Sequence, residues 1–274
     1  MEPAERPMAS GVSAPFDGVA AEYDRIFTES EVGRVQRMAV WSALSAVFKP
    51  GYRILELNCG TGVDALHLAE CGMRVLALDA SEAMVQVARR RIREHSAEKQ
   101  VQVECWPTEQ ITELETPVPF DGVLSNFGGL NCVRDLEGTA RHLHHLIRPG
   151  GAALLCWMNR WCLWEIAHYL WTRTPAKAFR RTRGHAVASV NQGPSFSVYY
   201  PSLSSILAAF SPWFRCISAR AIGLLVPPSY LEKWARSHPA YLNQAVRWDE
   251  YLSHWRGLRA LGDHLLVHFE NRSD

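Results

Sequence analysis

The residues best placed to do chemistry sit in one turn, Asn58-Cys59-Gly60-Thr61-Gly62, inside the stretch Arg53 to Ala69. Ile54, Leu55 and Leu57 read as a buried strand before it, and Val63, Leu66 and Ala69 recur at helical spacing after it. Glycine lacks a Cβ and accepts positive φ, so such a turn lets backbone come close to a ligand. A nucleotide-like group would then rest on the N-terminus of the following helix. Gly60 to Ala65 satisfies G-x-G-x-x-A, a pattern that a dinucleotide would also fit. A carboxylate, Glu56, lies in the strand before the turn, and a second, Asp79, ends the next apolar strand, Arg74 to Asp79.

Other polar groups are more scattered. Asp263-His264 heads the last apolar strand, Leu265 to Phe269, and an antiparallel final strand would start at the site's edge and bring His264 to its mouth. Tyr199-Tyr200 ends an irregular segment and could line a substrate pocket; His168 and His185 lie in the same segment. His142, His144 and His145 fall in a helix, where a surface or packing role is expected. None of these has Cys or carboxylate partners at zinc spacing, so no metal is implied. The seven cysteines include no C-x-x-C pair and suit free thiols in a reducing compartment.

The elements that must position these groups alternate regularly. Phe16 to Phe48 has helical periodicity in two parts, ended by Lys49-Pro50-Gly51. Strands are expected at Arg53 to Leu57, Arg74 to Asp79, Val101 to Glu104, Phe120 to Asn126 and Ala152 to Trp157, with helices from Ser81 to His95 and Asp135 to Ile147. Such alternation describes a parallel sheet with helices on both faces, and right-handed crossovers bring the carboxyl ends of its strands to one edge. Regularity breaks at Asn159. Up to Tyr200 the chain holds an aromatic helix (Trp161, Trp164, Tyr169, Trp171), a basic run (Lys177, Arg180, Arg181, Arg183) and an extended Phe196 to Tyr200 segment. A Ser202 to Phe210 helix and a strand near Cys216 to Leu225 follow, with further helix from Ser229.

The division expected is a disordered tail at 1–15, a core with N-terminal cover helices at 16–158, an inserted segment at 159–200 and the rest of the core at 201–274. The formal net charge of +1 gives no global footprint for nucleic acid. The N-terminus lacks an apolar leader core, and Gly151 to Trp171, the longest apolar stretch, is interrupted by Asn159, Arg160, Glu165 and His168. A cytoplasmic location is the expectation. The tryptophan helix must bury most of its surface, either as a lid over a flat apolar substrate or by docking on a membrane with the basic run beside it; the lid is favoured.

Glu56 to Gly62 resembles the acidic-x-G-x-G-x-G signature of class I S-adenosylmethionine-dependent methyltransferases (EC 2.1.1), with Asn58 in the first glycine position. Asn is the ordinary residue best able to take left-handed geometry, so Asn58 should show positive φ. The resemblance extends over roughly Phe16 to Glu270 and is strongest to the ubiquinone/menaquinone-methyltransferase-like group. Phe16 to Asp24 is similar to that group's cofactor-covering segment, Phe120 to Asn126 to its fourth-strand motif, and Arg148-Pro149-Gly150-Gly151 to its turn before strand five. It implies an α/β fold: a doubly wound, Rossmann-like seven-stranded sheet with its last strand antiparallel, helices on both faces and an inserted lid.

The resemblance also implies S-adenosyl-L-methionine as cofactor, S-adenosyl-L-homocysteine as product, and a small aromatic or apolar methyl acceptor. Cofactor contacts are implied at Tyr23, Glu56, Asn58, Cys59, Gly60, Gly62, Asp79, Ala80, Met84, Trp106, Pro107, Asn126, Phe127 and Gly128. Asp79 would accept both ribose hydroxyls, and Tyr23 and Phe127 would face the sulfonium. The family's acidic residue after strand three is replaced by Trp106-Pro107, so adenine is expected against the Trp106 ring. His264 and Tyr200 are the candidate catalytic groups, although alignment of the reactants could suffice without a base. A nicotinamide-dependent oxidoreductase and a non-catalytic cofactor-binding partner are the other readings.

Overall fold

The computed structural model describes Ala14, residues 16–189 and residues 194–273. Except for Ala14, the tail expected to be disordered lies outside the described residues. The strands are β1 (Arg53–Leu57), β2 (Arg74–Asp79), β3 (Val101–Cys105), β4 (Phe120–Ser125), β5 (Ile147–Met158), β6 (His185–Ala188), β7 (Phe196–Tyr199), β8 (Phe214–Ile222) and β9 (His264–Asn271). Seven form one sheet in the order β3-β2-β1-β4-β5-β9-β8. β1 to β5 run parallel, and β9 is antiparallel to both β5 and β8. Strand order reverses between β1 and β4, the crevice where open α/β sheets bind ligands.

Near-continuous apolar strands are what a sheet covered on both faces requires. One face packs Leu55, Leu57, Trp157, Phe210 and Phe269 in a single cluster. The other packs Ile54, Val40, Leu44, Leu68, Val85 and Ile92 under the helices Glu31–Val47, Val63–Glu70 and Glu82–Glu94. Ser30, whose hydroxyl accepts from the Gly33 N–H at 2.9 Å, caps the first of these and separates it from the short turns Asp17–Val19, Ala20–Tyr23 and Asp24–Thr28. The two-part N-terminal helix is thus as the periodicity suggests.

Two strand boundaries differ by more than two residues from the sequence reading. Arg148 to Gly151, expected as a turn, is an irregular beginning of β5, with the register slipping between Phe120 and Gly122 of β4. β8 stops at Ile222 rather than Leu225 because Gly223 takes φ +68. Among the described residues, the segment between β5 and β8 adds no strand to the main sheet. It contains the helix Leu163–Trp171, the short helix Pro175–Ala178, the turn Arg181–Arg183 and the separate hairpin β6–β7. No helix among the described residues is long and apolar enough to cross a membrane.

Candidate active site

The turn after β1 has the expected backbone. Asn58 takes φ +56, Gly60 +54 and Gly62 +75. Asn58 does more than replace a glycine: its Nδ2 donates to Ser125 Oγ at 3.2 Å and its Oδ1 accepts from Thr108 Oγ1 at 3.0 Å. The side chain therefore ties the β1 turn to the end of β4 and to the turn after β3. The glycines divide the remaining work. A Cβ on Gly60 would meet nothing within 4 Å, whereas one on Gly62 would lie 2.8 Å from Ala88 Cβ. Gly60 leaves room for a ligand; Gly62 lets the next two helices touch.

A cavity of about 650 Å³ opens at this edge of the sheet. Tyr23, Asn58, Gly60, Asp79, Ala80 and Met84 form one part of its wall. Asp79 accepts from the Gly60 N–H (2.8 Å) through Oδ2 and the Ser81 N–H (2.9 Å) through Oδ1. A carboxylate has about four acceptor sites, so capacity remains on the cavity side. Burial pushes the Asp79 carboxyl up, against the lowering effect of these backbone N–H groups. Asn126, Phe127 and Gly128 continue the wall. Phe127 holds φ +47, a conformation costly for a bulky residue. Its ring is fixed edge-on by Phe27 (5.0 Å) and His264 (5.4 Å), with the Arg37 guanidinium 5.0 Å from its centroid. Arg37 pairs with Asp64 at 2.7 Å, and Asp64 also accepts from Trp41 Nε1 and Asn126 Nδ2.

The N-terminal turns are fastened over the cavity at two points. Ser81 Oγ donates to Asp17 at 2.5 Å, and Asp24 accepts from Thr61 Oγ1 (2.7 Å) while pairing with Arg91 (2.6 Å). Burial alone would raise the Asp24 carboxyl, but the bonds from Thr61 and Arg91 hold it below its ordinary range.

Several sequence-derived candidates stand away from the cavity wall. Glu56 lies beneath it, 1% exposed, and its Oε2 has no hydrogen-bond partner. Burial, and next the nearby Asp64, raise its carboxyl well above the usual range. The Cys59 thiol is buried and also pushed up. Trp106 packs against the core, donates from Nε1 to the Gln110 carbonyl and does not line the cavity; Pro107 leads into the turn Thr108–Glu113. That turn brings Thr108 and Glu109 to the wall, supplying a carboxylate after β3 that the sequence reading missed by inspecting only the positions directly behind the strand. His264 pairs with Met158 at the expected edge, but the Phe127 ring stands in front of it. Burial lowers its pKa, with Asp263, 3.4 Å away, opposing.

The insertion contributes differently from its expected role as a tryptophan lid. Its hairpin lines the cavity with Phe196, Val198 and Tyr199, followed by Tyr200, while the helix Leu163–Trp171 does not reach it. That helix leans away: Trp164 donates to the Leu225 carbonyl at 2.6 Å and packs on Trp234 and Tyr241. Two arginines of the basic run are structural. Arg181, 5% exposed, bonds Glu165 and Asp263, and Arg180 chelates Glu165 at 2.8 and 3.0 Å. Asp263 also accepts from Gln36, which joins insertion, last strand and N-terminal helix in one buried network. A basic run looks solvated in sequence, and only the partners distant along the chain show otherwise.

Residues 54–151 match the family described as a methyltransferase domain. Over 146 residues the chain is 35% identical to a demethylmenaquinone methyltransferase of Clavibacter sepedonicus, covering 53% of this chain and 57% of that one. It is 32% identical over 157 residues to a 2-phytyl-1,4-naphtoquinone methyltransferase of Synechococcus elongatus, covering 54% of this chain and 64% of that one. These alignments span little more than half the length of either relative. An S-adenosylmethionine-dependent methyltransferase structure from Listeria monocytogenes superposes with a TM-score of 0.57 at 15% identity, over 85% of this chain and 98% of that one, and speaks for the fold. The reversed β9 beside β5, left-handed Asn58 after the buried Glu56, and Asp79 closing β2 agree with these matches: the chain carries a methyltransferase domain at residues 54–151.

Proposed function

We propose that the protein transfers the methyl group of S-adenosylmethionine to an O, N or C nucleophile of a small aromatic or apolar molecule of quinone or secondary-metabolite type. The observation that carries this reading is a single cavity with two unlike parts: the β1 turn with Asp79, and an apolar wall from Phe16, Val133, Met158, Phe196 and Val198. The names of the relatives, which act on demethylmenaquinone and 2-phytyl-1,4-naphthoquinone, support an acceptor of that shape.

The residues present fit the cofactor. Asp79 keeps acceptor capacity for ribose hydroxyls, Gly60 leaves space where a side chain would intrude, and Glu56 Oε2 awaits a partner below the turn. Thr108 and Glu109 take the adenine end. Once bound, the group supplies a methyl already activated on a sulfonium. The protein's share is alignment and exclusion of water. Tyr23 and Phe127 offer aromatic faces to the positive sulfur.

Proton handling follows from the wall. Burial raises the Tyr23 phenol to about 12 and also raises Tyr200, so both are neutral donors at pH 7. Tyr200 positions the acceptor by donating a hydrogen bond. His264 supports the Phe127 ring rather than moving a proton. Acceptors that ionise readily, such as hydroquinones and acidic phenols, need no stronger base.

The test is incorporation of labelled methyl from S-adenosylmethionine into reduced naphthoquinones and phenols by the wild type and Asp79→Ala. Label transfer that Asp79→Ala abolishes is expected. Transfer to none of these acceptors, or transfer indifferent to Asp79, would remove the reading.

A further inference from the structure

The helix Leu163–Trp171 wears its polarity inside out. Its exposed positions are Leu163 (43%), Ala167, Leu170 (48%) and Trp171 (88%), spaced i, i+4, i+7 and i+8 on one face. Its charged residue, Glu165, is 1% exposed, locked between Arg180 and Arg181. A helix whose outer face met only water would show the opposite arrangement. Trp161 and Phe179, 44% and 41% exposed, add to the apolar surface from either side of the helix in sequence.

The exposed charged residues of the segment that carries this face are all basic. Arg173 and Lys177, both exposed, follow the helix directly, and Arg183 is exposed further on, while Arg180 is held by Glu165 at the cavity wall. Among the described residues of 159–200 the sole acid is Glu165, which is buried. Exposed tryptophan and leucine next to exposed cations complement an anionic bilayer surface, where rings settle at headgroup depth and cations meet phosphates.

We propose that this face docks the protein on an anionic lipid surface. The leucines and Trp171 enter the headgroup boundary, and Arg173 and Lys177 pair with lipid phosphates. The inference rests on the exposed face and not on the identity of the methyl acceptor. It has a consequence for access: the hairpin β6–β7, part of the same insertion, walls the apolar part of the cavity. Docking would therefore bring the insertion that walls the cavity to a phase in which an apolar molecule dissolves.

The test is flotation of the full chain with vesicles of phosphatidylcholine alone and of phosphatidylcholine with phosphatidylglycerol. Binding to the anionic vesicles is expected, weakening with added salt. Trp171→Ser should lower the partition about tenfold and Lys177→Ala about fivefold, the effect of one cation near such a surface. Val118→Ser removes an apolar residue 57% exposed before β4, on the opposite edge of the sheet, and should change nothing. S-adenosylhomocysteine affinity equal to wild type in Trp171→Ser shows that the fold is intact. The proposal falls if the wild type ignores anionic vesicles, binds both kinds equally, or loses as much binding through Val118→Ser as through Trp171→Ser. It falls too if the face instead holds a second copy, seen as a dimer that Trp171→Ser dissociates without vesicle binding.

Discussion

Replacing Arg181 with methionine keeps the side chain's bulk and removes its charge from the buried network. The guanidinium bonds Glu165 at 3.0 Å, Asp263 Oδ1 at 3.0 Å and the Asp263 carbonyl at 3.0 Å. Removing one partner of a buried ion pair costs about 3–5 kcal/mol, because the other charge is stranded. Glu165 keeps Arg180 and Asp263 keeps Gln36, which puts this case at the lower end, about 3 kcal/mol. An unfolding entropy of about 2.1 cal/mol/K per residue gives roughly 0.6 kcal/mol/K for a chain this long, so Tm should fall by roughly 5 °C. Burial pushes the Asp263 carboxyl up, but His264, Arg181 and Gln36 outweigh it and hold it below its ordinary range. A depressed carboxylate contributes stability above its unfolded pKa and loses it as pH falls through the folded one. In Arg181→Met the stranded carboxylate takes up a proton at higher pH and is relieved of its charge. The Tm gap, followed by circular dichroism, should be widest near pH 7 and narrow as the pH falls through the carboxylate range. A gap under about 1 °C, or one independent of pH, would refute the view that these charges seat the insertion.

The two glycines of the turn should separate stability from binding. Gly62→Ala forces a methyl 2.8 Å from Ala88 Cβ at φ +75 and should destabilise by roughly 3 kcal/mol in denaturant titration, with Gly60→Ala costing only about 1 kcal/mol. Gly60→Ala should instead weaken S-adenosylhomocysteine binding tenfold or more by calorimetry, since its methyl enters the cavity; the reverse pattern would show the roles are misassigned. Asn58→Ala should lose about 3 kcal/mol through strain and two hydrogen bonds, and Asn58→Gly about 1 kcal/mol less, read from the same titrations. Asp24→Ala frees the cover from Thr61 and Arg91 and should speed cleavage near Arg25 by trypsin. The wild type should approach that behaviour as pH drops below the usual carboxylate range, because Asp24 is depressed in the folded state.

Local signals carried the sheet and much of the cavity. Apolar runs ending at Leu57, Asp79 and Asn126 located, to within one residue, the strand ends that meet at the cavity, and the resemblance of the Asn58 turn to a glycine signature anticipated a left-handed residue that the structure contains. Pairing across distance was not legible. Nothing near Glu165 announces that Arg180 and Arg181 will neutralise it, or that Asp263 will close the network from 82 residues beyond Arg181. His264 was placed at the right edge of the sheet, yet the ring that screens it belongs to Phe127, in a backbone state its residue type does not favour. Trp106 shows the same limit: an aromatic residue after a strand can face ligand or core, and here the indole N–H found the Gln110 carbonyl.

On the reading proposed above, the β1 turn and Asp79 hold S-adenosylmethionine rather than a dinucleotide. Isothermal titration of the full chain with S-adenosylhomocysteine and, separately, with NAD tests it directly. Saturable binding of S-adenosylhomocysteine, weakened at least a hundredfold by Asp79→Ala through the loss of two charge-assisted hydrogen bonds, and no binding of NAD, is the outcome expected. Tight NAD binding with no response to S-adenosylhomocysteine would contradict it.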